Sequence, residues 1–229
     1  MERHFEHQLD ELKTQLLHMS GQAERIIRKA VEALQRRDGV LAEEVFGEDK
    51  VIDRLEIDIE ERCIELLALQ QPLAGDLRFI TSALKISNDL ERVGDHAVNI
   101  AGCAKTLAKL PAVRPSADLA PLADGAIGML REALDAFVRR DGEAARRLVL
   151  RDDEVDDLNR HLFADLLGRM IRNPAEVEAS MALILVGRNL ERIGDLATNV
   201  AEEVVFIAEA RVIKHHAEET AARDEFGRT

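Results

Sequence analysis

Apolar residues recur at intervals of three and four over most of the chain, which places them on one face of a helix. Such a pattern predicts a first helix over 9–34, and it stops at the RRDG of 36–39. A second helix is predicted over 38–69 and ends before the proline of QQP at 70–72, because proline disfavours helix in the preceding residue. A third helix is predicted over 74–110.

The second half of the chain repeats this order of elements. The segment PAVRPSADLAP at 111–121 carries three of the five prolines and is the expected linker. Helices are then predicted over 117–140, 142–172 and 175–214. Since the chain has no Trp, no Tyr and only seven Phe, aliphatic residues must fill the core, which suits packed helices.

Three stretches of sequence recur in the same order about 100 residues apart. The matching pairs are AVEALQRRDG at 30–39 with ALDAFVRRDG at 133–142, EDKVIDRL at 48–55 with RDDEVDDL at 151–158, and LERVGD at 90–95 with LERIGD at 190–195. We infer a tandem duplication of a three-helix unit, and the short loops predict an antiparallel bundle.

The predicted fold is therefore all-α, with six long helices in two antiparallel three-helix bundles. Residues 1–112 are expected to form the first three-helix bundle and residues 113–214 the second. Residues 215–229 have little apolar content and are predicted to be a flexible C-terminal tail.

The charge balance narrows the classes of partner. The chain has 31 Lys and Arg against 44 Asp and Glu, a formal net charge of −13. Because non-specific nucleic-acid binding depends on neutralising phosphates, we expect no nucleic-acid partner. An acidic protein instead attracts cations and basic partner surfaces.

The sequence also bears on location and redox state. Cys63 and Cys103 lie in helical apolar patterns without CxxC spacing, which predicts buried free thiols. The first residues are charged, so we expect no signal peptide. No apolar run approaches the roughly 18 residues of a membrane span. We therefore expect a cytoplasmic protein.

Acidic side chains four residues apart occur twice in each repeat. Residues with this spacing project from one helix face, and each repeat has such a pair on each of two helices expected to be neighbours. The pairs are Asp49 with Asp53 and Glu91 with Asp95 in the first repeat, and Asp152 with Asp156 and Glu191 with Asp195 in the second.

Facing pairs would bring four carboxylates together in each repeat. Mutual repulsion would raise their pKa values unless cations were present, and oxygen-rich sites suit Mg, Mn, Fe, Ca or Zn. Gly94 and Gly194 precede the second aspartates, where a helix-interior glycine costs about 1 kcal/mol. Such glycines indicate that something approaches the backbone closely, either a crossing helix or a bound cluster. For the carboxylates, the alternative is a solvated acidic face.

The residues around these pairs give no case for catalysis. Arg92 and Arg192 are expected to pair with nearby carboxylates, and His96 has Leu196 at the equivalent position, which argues against an essential histidine. The sequence has no E-x-x-H, no Gly-rich phosphate loop with Lys and no GxSxG. We therefore predict that the protein is not an enzyme.

The two LER[VI]GD phrases, the QQPLAGDLR before the third helix and the doubled layout resemble the PhoU family over about residues 5–211. This resemblance implies two three-helix bundles related by a pseudo-twofold axis. It also implies negative regulation of phosphate uptake and of the phosphate-starvation response, with the transporter's ATPase subunit and the PAS-containing region of the sensor histidine kinase as partners. A homodimer is expected, peripheral to the membrane through its partners only.

The resemblance further implies a multinuclear iron or zinc cluster held by the acidic motifs. Carried over motif by motif, the metal ligands are expected to be Asp49, Asp53, Glu91, Asp95, Asp152, Asp156, Glu191 and Asp195. Two other classes of function stay open on the residues alone. One is a metal-dependent hydrolase or oxidase that uses the same carboxylates, and the other is a structural helical scaffold.

Overall fold

The computed structural model describes residues 2–114 and 116–213, so the predicted tail at 215–229 lies outside the described residues. Within them the chain forms seven α-helices and one 3-10 turn at Pro174–Glu176. The helices are α1 Glu2–Arg36, α2 Gly39–Gln70, α3 Ala74–Lys109, α4 Leu119–Arg139, α5 Gly142–Val149, α6 Asp152–Arg172 and α7 Val177–Glu209.

The two RRDG stretches form the same turn. In each, an arginine with positive φ directly follows the last residue of one helix, with φ of 54° for Arg37 and 52° for Arg140. The aspartate that follows caps the next helix: Asp38 accepts from the backbone N–H groups of Val40 and Leu41, and Asp141 from that of Ala144. Side-chain caps of this kind satisfy orphan N–H groups at a helix start, so the repeated motif encodes the repeated turn.

The single helix predicted over 142–172 is wrong, because the structure divides it into α5 and α6. The break leaves Leu150 79% exposed and puts Arg151 at φ −99°, ψ 0°. The Arg151 side chain forms an ion pair with Glu132 of α4, at 2.7 Å. Asp152, Asp153 and Glu154 then occupy the first turn of α6, where the helix dipole favours negative charge. Apolar periodicity continues across the break and conceals it.

The helices form two bundles that share one core, which confirms the all-α tandem-duplicated fold. Helices α1, α2 and α3 pack on one another, and α4, α5 and α6 pack on α7. The most extensive contact joins α3 to α7, so the third helix of each bundle forms the junction. A single cluster of buried apolar residues extends through both bundles. The division at 112/113 stays a prediction about folding units.

A buried acid lies at the junction of the bundles. Glu203 of α7 is 2% exposed and accepts from Ser82 Oγ at 2.8 Å and Lys85 Nζ at 3.0 Å on α3. Because a buried carboxylate is costly unless it is paired and hydrogen-bonded, this network specifies how α3 meets α7. Within the described residues no helix combines the length and apolarity that crossing a membrane requires.

Candidate functional site

In the first bundle, the predicted carboxylates of α2 and α3 converge. The two helices contact each other at Gly94, where an added Cβ would lie 3.4 Å from Ile52 Cδ1. Asp49 and Asp53 project from α2 one turn apart, and Glu91 and Asp95 do the same from α3. The four are close enough for the charges of Asp53 and Asp95 to act on Asp49, and for the other three to act on Glu91.

Asp49 occupies the tightest position in this first cluster. A Cβ at Gly94 would lie 2.5 Å from Asp49 Oδ1, so the glycine makes room for the carboxylate. Oδ1 is buried and has no hydrogen-bond partner. Burial first, and then the charges of Asp53 and Asp95, raise the pKa of Asp49 from 3.8 to about 6.

Glu91 is the second strongly perturbed acid of the first cluster. Burial, followed by the charges of Asp95 and Glu56, raises the pKa of Glu91 from 4.5 to about 7. Glu56 is a member of the cluster that the four-residue spacing does not reveal. It lies three residues after Asp53 on the same face of α2, so extending the search to the i+3 neighbour would have found it.

In the second bundle, α6 and α7 bring the other four predicted carboxylates together. The contact is at Gly194, where a Cβ would lie 3.3 Å from Val155 Cγ1. Burial and the charge of Asp195 raise the pKa of Asp152 and of Asp156. Burial and the charges of Asp156 and Asp195 raise that of Glu191. In this bundle Gly194 makes room for the apolar side chain of Val155. The carboxylate of Asp152, unlike that of Asp49, does not lie against the glycine.

Neutral donors distinguish the second cluster from the first. Thr198 Oγ1 donates to Asp152 Oδ1 at 3.3 Å, and this bond opposes the rise in the pKa of Asp152. Asn159 Nδ2 donates to Glu191 Oε2 at 2.9 Å. The equivalent positions in the first bundle carry Val98, which cannot donate, and Glu56, which adds a negative charge. The two repeats therefore present different electrostatic environments.

Arginines differ between the clusters in the same direction. Arg192 donates to Asp195 at 2.7 Å, whereas the equivalent Arg92 pairs with Asp89 at 3.3 Å, outside the first cluster. The charges of Arg188 and Arg192 lower the pKa of Glu191, opposing its rise. Asn88 stands at the position equivalent to Arg188. The first cluster is thus the more negative of the two.

The residues of the first cluster fit a divalent cation by their chemistry. All five members offer carboxylate oxygens, which hard and borderline cations prefer, and a buried oxygen of Asp49 has no donor. In the described part of the chain, no group of three or more His, Cys, Asp or Glu side chains is already arranged to hold a metal ion. Side-chain rotation would therefore have to accompany binding, and the role of the eight carboxylates as ligands stays a prediction.

The histidine singled out in the sequence has a hydrogen-bond partner, and the two cysteines are free thiols. His96 Nδ1 is hydrogen-bonded to Asn189 Oδ1 at 2.9 Å, between α3 and α7. Cys63 is buried and Cys103 half-buried, both as free thiols, and burial raises the pKa of the Cys63 thiol to about 12. A thiol with so high a pKa is a poor nucleophile, since thiolate is the reactive form.

Comparison with known proteins identifies a family and a fold. The family model described as PhoU domain matches residues 16–104 and 119–204. The phosphate-specific transport system accessory protein PhoU homolog of Aquifex aeolicus is 39% identical over 208 residues, covering 91% of this chain and 94% of that protein. The homolog of the same name from Clostridium acetobutylicum is 38% identical over 204 residues, covering 89% and 93%.

Solved structures agree with this match. The crystal structure of PhoU from Pseudomonas aeruginosa superimposes with a TM-score of 0.86 at 35% identity, covering 90% of this chain and 100% of that one. The phosphate transport system regulatory protein PhoU from Streptococcus pneumoniae also gives 0.86, at 27% identity, covering 92% and 99%.

Proposed function

This chain belongs to the PhoU family, and we propose that it is a regulatory accessory protein of a bacterial phosphate transport system. The observation that carries this proposal is the match of the family model to both repeats. Relatives that are named as accessory proteins match this chain over nearly their whole length. The neighbour from Streptococcus pneumoniae is itself described as a regulatory protein. In this role the protein restrains phosphate uptake and the phosphate-starvation response.

The regulator acts as an adaptor in the cytoplasm rather than as an enzyme. Its partners are the ATPase subunit of the transporter and the PAS-containing region of the sensor histidine kinase, which it reaches as a homodimer. A net charge of −13 supports contacts with basic partner surfaces. The high pKa of Cys63 supports a role without a cysteine nucleophile.

The carboxylate clusters bind metal in this proposal. Asp49, Asp53, Glu91 and Asp95 hold an iron or zinc cluster in the first bundle, and Glu56 adds negative charge. The ligands in the second bundle are Asp152, Asp156, Glu191 and Asp195. A bound cation supplies positive charge that offsets the repulsion between acids on two helices. Because the ligands come from α2 and α3, or from α6 and α7, their binding energy stabilises the folded bundle.

The adaptor role is tested by binding to purified partners. The full-length chain should bind the transporter ATPase subunit or the kinase PAS region, and elemental analysis should find iron or zinc. Absence of both metal and partner binding would overturn the proposal. The matched variants Asp95→Asn and Asp195→Asn test whether loss of metal from one bundle is accompanied by loss of partner binding.

The two alternative classes make different predictions for the same variants. A hydrolase or oxidase would show turnover of a phosphoester, or O₂-dependent oxidation, that Glu91→Gln abolishes. A structural scaffold would gain slightly in stability in Asp95→Asn, because repulsion is relieved, and would leave regulation unchanged. Loss of regulation by a folded Asp95→Asn protein excludes the scaffold.

A further inference from the structure

Each repeat places one arginine between two possible partners on the same helix. In the first repeat, Arg92 lies three residues after Asp89 and three residues before Asp95, and both spacings allow side chains on a helix to meet. Asp95 belongs to the first cluster, whereas Asp89 lies outside it. The direction in which the arginine points therefore decides whether a positive charge stands inside the carboxylate cluster.

In the first bundle the arginine turns away from the cluster. Arg92 Nη1 donates to Asp89 Oδ1 at 3.3 Å. Asp89 is only 8% exposed, whereas Asp95 is open to solvent. Because a buried carboxylate gains more from a cationic partner than a hydrated one does, Asp89 is the stronger partner of the two. Arg92 is thereby kept out of the first cluster.

In the second bundle the equivalent arginine turns into the cluster. Asn189 stands at the position of the aspartate, three residues before Arg192. Both ends of its amide already have partners: Nδ2 donates to the Leu185 carbonyl oxygen at 2.7 Å, and Oδ1 is hydrogen-bonded to His96 Nδ1 at 2.9 Å. A neutral amide also attracts a guanidinium less than a carboxylate does. Arg192 accordingly donates to Asp195 Oδ2 at 2.7 Å.

The electrostatics of the acids show the same difference between the clusters. Burial, and then neighbouring carboxylates, raise the pKa of Glu91 to about 7. The same causes raise the pKa of Glu191, but the charges of Arg192 and Arg188 oppose that rise. A cation that enters the second cluster therefore competes with a positive charge that the chain itself supplies. In the first cluster it meets carboxylates whose mutual repulsion Arg92 does not relieve.

We propose that Asp89 and Asn189 are positioning residues that decide, in each bundle, whether the arginine or a metal ion neutralises the carboxylates. Asp89 draws Arg92 away and leaves the first cluster open to a divalent cation. Asn189 does not draw Arg192 away, so the second cluster keeps an internal counter-ion that a cation must displace. The first cluster therefore fills at lower free metal than the second, and the chain passes through a state with metal in one bundle only.

The exposure of the two arginines sets the size of the effect. The side chains of Arg92 and Arg192 are 50% and 55% accessible to solvent. Ion pairs at such exposure are weak, so displacing one should lower metal affinity about three- to fivefold. The inference rests on the proposed function, because it concerns the order in which the proposed metal sites fill.

Isothermal titration calorimetry with Zn²⁺ measures each cluster separately in the full-length chain. Asp152→Asn with Asp156→Asn disables the second cluster, so that the titration reports the first. Asp49→Asn with Asp53→Asn disables the first cluster, so that the titration reports the second. The chain with both clusters intact should give two binding steps, and the first cluster should account for the tighter one.

Arg92→Gln and Arg192→Gln are matched variants, because they remove the same side chain from equivalent positions of the two repeats. Arg192→Gln should raise the Zn²⁺ affinity of the second cluster about three- to fivefold, since the competing charge is gone. Arg92→Gln should change the affinity of the first cluster by less than about twofold, since Arg92 already lies outside it.

Asp89→Asn tests the positioning role itself. It should release Arg92 toward Asp95 and weaken Zn²⁺ binding by the first cluster about three- to fivefold. Adding Arg92→Gln to Asp89→Asn should restore the affinity of the unaltered cluster, because no guanidinium is left to enter it. A purely structural effect of losing Asp89 would not be restored in this way. A crystal structure of Asp89→Asn should show Arg92 donating to Asp95.

Each contrary outcome overturns a specific claim. If the unaltered chain binds no Zn²⁺, the proposed metal binding fails and this inference fails with it. If both clusters bind Zn²⁺ but Arg192→Gln leaves the second unchanged, the arginine is not a competing counter-ion, while the proposed function stands. If Arg92→Gln does not restore the affinity lost in Asp89→Asn, the positioning role of Asp89 is wrong. Thermal melts check folding, and the exposed Arg192 keeps the proposal testable should Asp89→Asn unfold.

Discussion

Gly94 of α3 lies directly against the carboxylate of Asp49 on α2, and a Cβ at residue 94 would lie 2.5 Å from Asp49 Oδ1. The equivalent contact in the second bundle is between Gly194 and the apolar Val155, at 3.3 Å. One glycine position that the two repeats share therefore serves two purposes. In the first bundle it shapes an acidic cluster, and in the second it permits two helices to pack closely.

Gly94→Ala is predicted to damage the first cluster more than the fold. The methyl group would displace the Asp49 carboxylate, a movable group, while alanine favours helix by about 1 kcal/mol over glycine. Stability should therefore change by no more than about 1 kcal/mol in either direction. Zn²⁺ affinity of the first bundle, measured by isothermal titration calorimetry, should fall at least tenfold.

Gly194→Ala provides the matched control for that substitution. Its methyl group would meet Val155 rather than a carboxylate, so Zn²⁺ affinity of the second bundle should change less than threefold. Equal losses of affinity in the two variants would show that the contact with Asp49 does not shape the first cluster.

Stability of the metal-free protein is predicted to fall as pH rises from 5 to 8. The pKa of Asp49 is raised to about 6 and that of Glu91 to about 7. A raised pKa means that the folded state binds these protons more tightly than the unfolded state, so stability is lost as the folded groups ionise. The expected loss is about 1–2 kcal/mol, discounted because both carboxylates are partly screened by water.

Urea unfolding in a chelating buffer at pH 5, 6, 7 and 8 measures this loss. Glu91→Gln should flatten the pH dependence, whereas Glu191→Gln should flatten it less, because arginines oppose the rise of that pKa. Stability that increases over this range in the unaltered protein would contradict the electrostatic account of the first cluster.

Exchanging two residues should make the second cluster resemble the first. Asn159→Glu introduces the negative charge that Glu56 carries in the first bundle. Thr198→Val removes the hydroxyl that donates to Asp152 at 3.3 Å. The double variant is predicted to lose about 1–2 kcal/mol of metal-free stability, because it adds repulsion and removes the hydrogen bonds that Asn159 and Thr198 donate. Its second bundle should bind Zn²⁺ at least fivefold more tightly in calorimetry.

The reverse exchange in the first bundle completes this test. Glu56→Asn with Val98→Thr should weaken Zn²⁺ binding there and raise metal-free stability. If neither double variant shifts the affinity of its own bundle, the difference between the two clusters has another origin.

Glu203→Gln is predicted to destabilise the junction of the bundles by about 1–3 kcal/mol. The substitution removes a buried charge that accepts from Ser82 and Lys85, and charge-assisted hydrogen bonds are the stronger ones. Urea unfolding gives the size of the loss. Glu202→Gln, the neighbouring substitution, should have a smaller effect, and an equal effect would argue against a special role for the buried network.

The fold was predictable because the sequence repeats its local signals. Helical periodicity located the long helices, and the RRDG motif marked both turns through caps at Asp38 and Asp141. The break at Leu150 escaped prediction because the apolar spacing continues through it. At the break, Arg151 forms an ion pair with Glu132 of another helix, a contact that periodicity cannot show.

Eight acids of the candidate site were predictable from the sequence, but the asymmetry of the two clusters was not. Four-residue spacing located eight acids, and the structure brings them into two clusters of four. Glu56 escaped this search because it lies three residues from its neighbour. The contrast between Thr198 and Val98 looks like ordinary variation until the structure joins Thr198 to Asp152. Likewise, nothing in the sequence distinguishes buried Glu203 from surface acids.

Anomalous diffraction from crystals grown with iron or zinc tests the central claim most directly. The account predicts anomalous peaks among Asp49, Asp53, Glu91 and Asp95 between α2 and α3, with weaker peaks at the cluster of Asp152, Asp156, Glu191 and Asp195. The account would be contradicted if well-diffracting crystals grown with either metal showed all eight carboxylates solvated and no anomalous peak beside them.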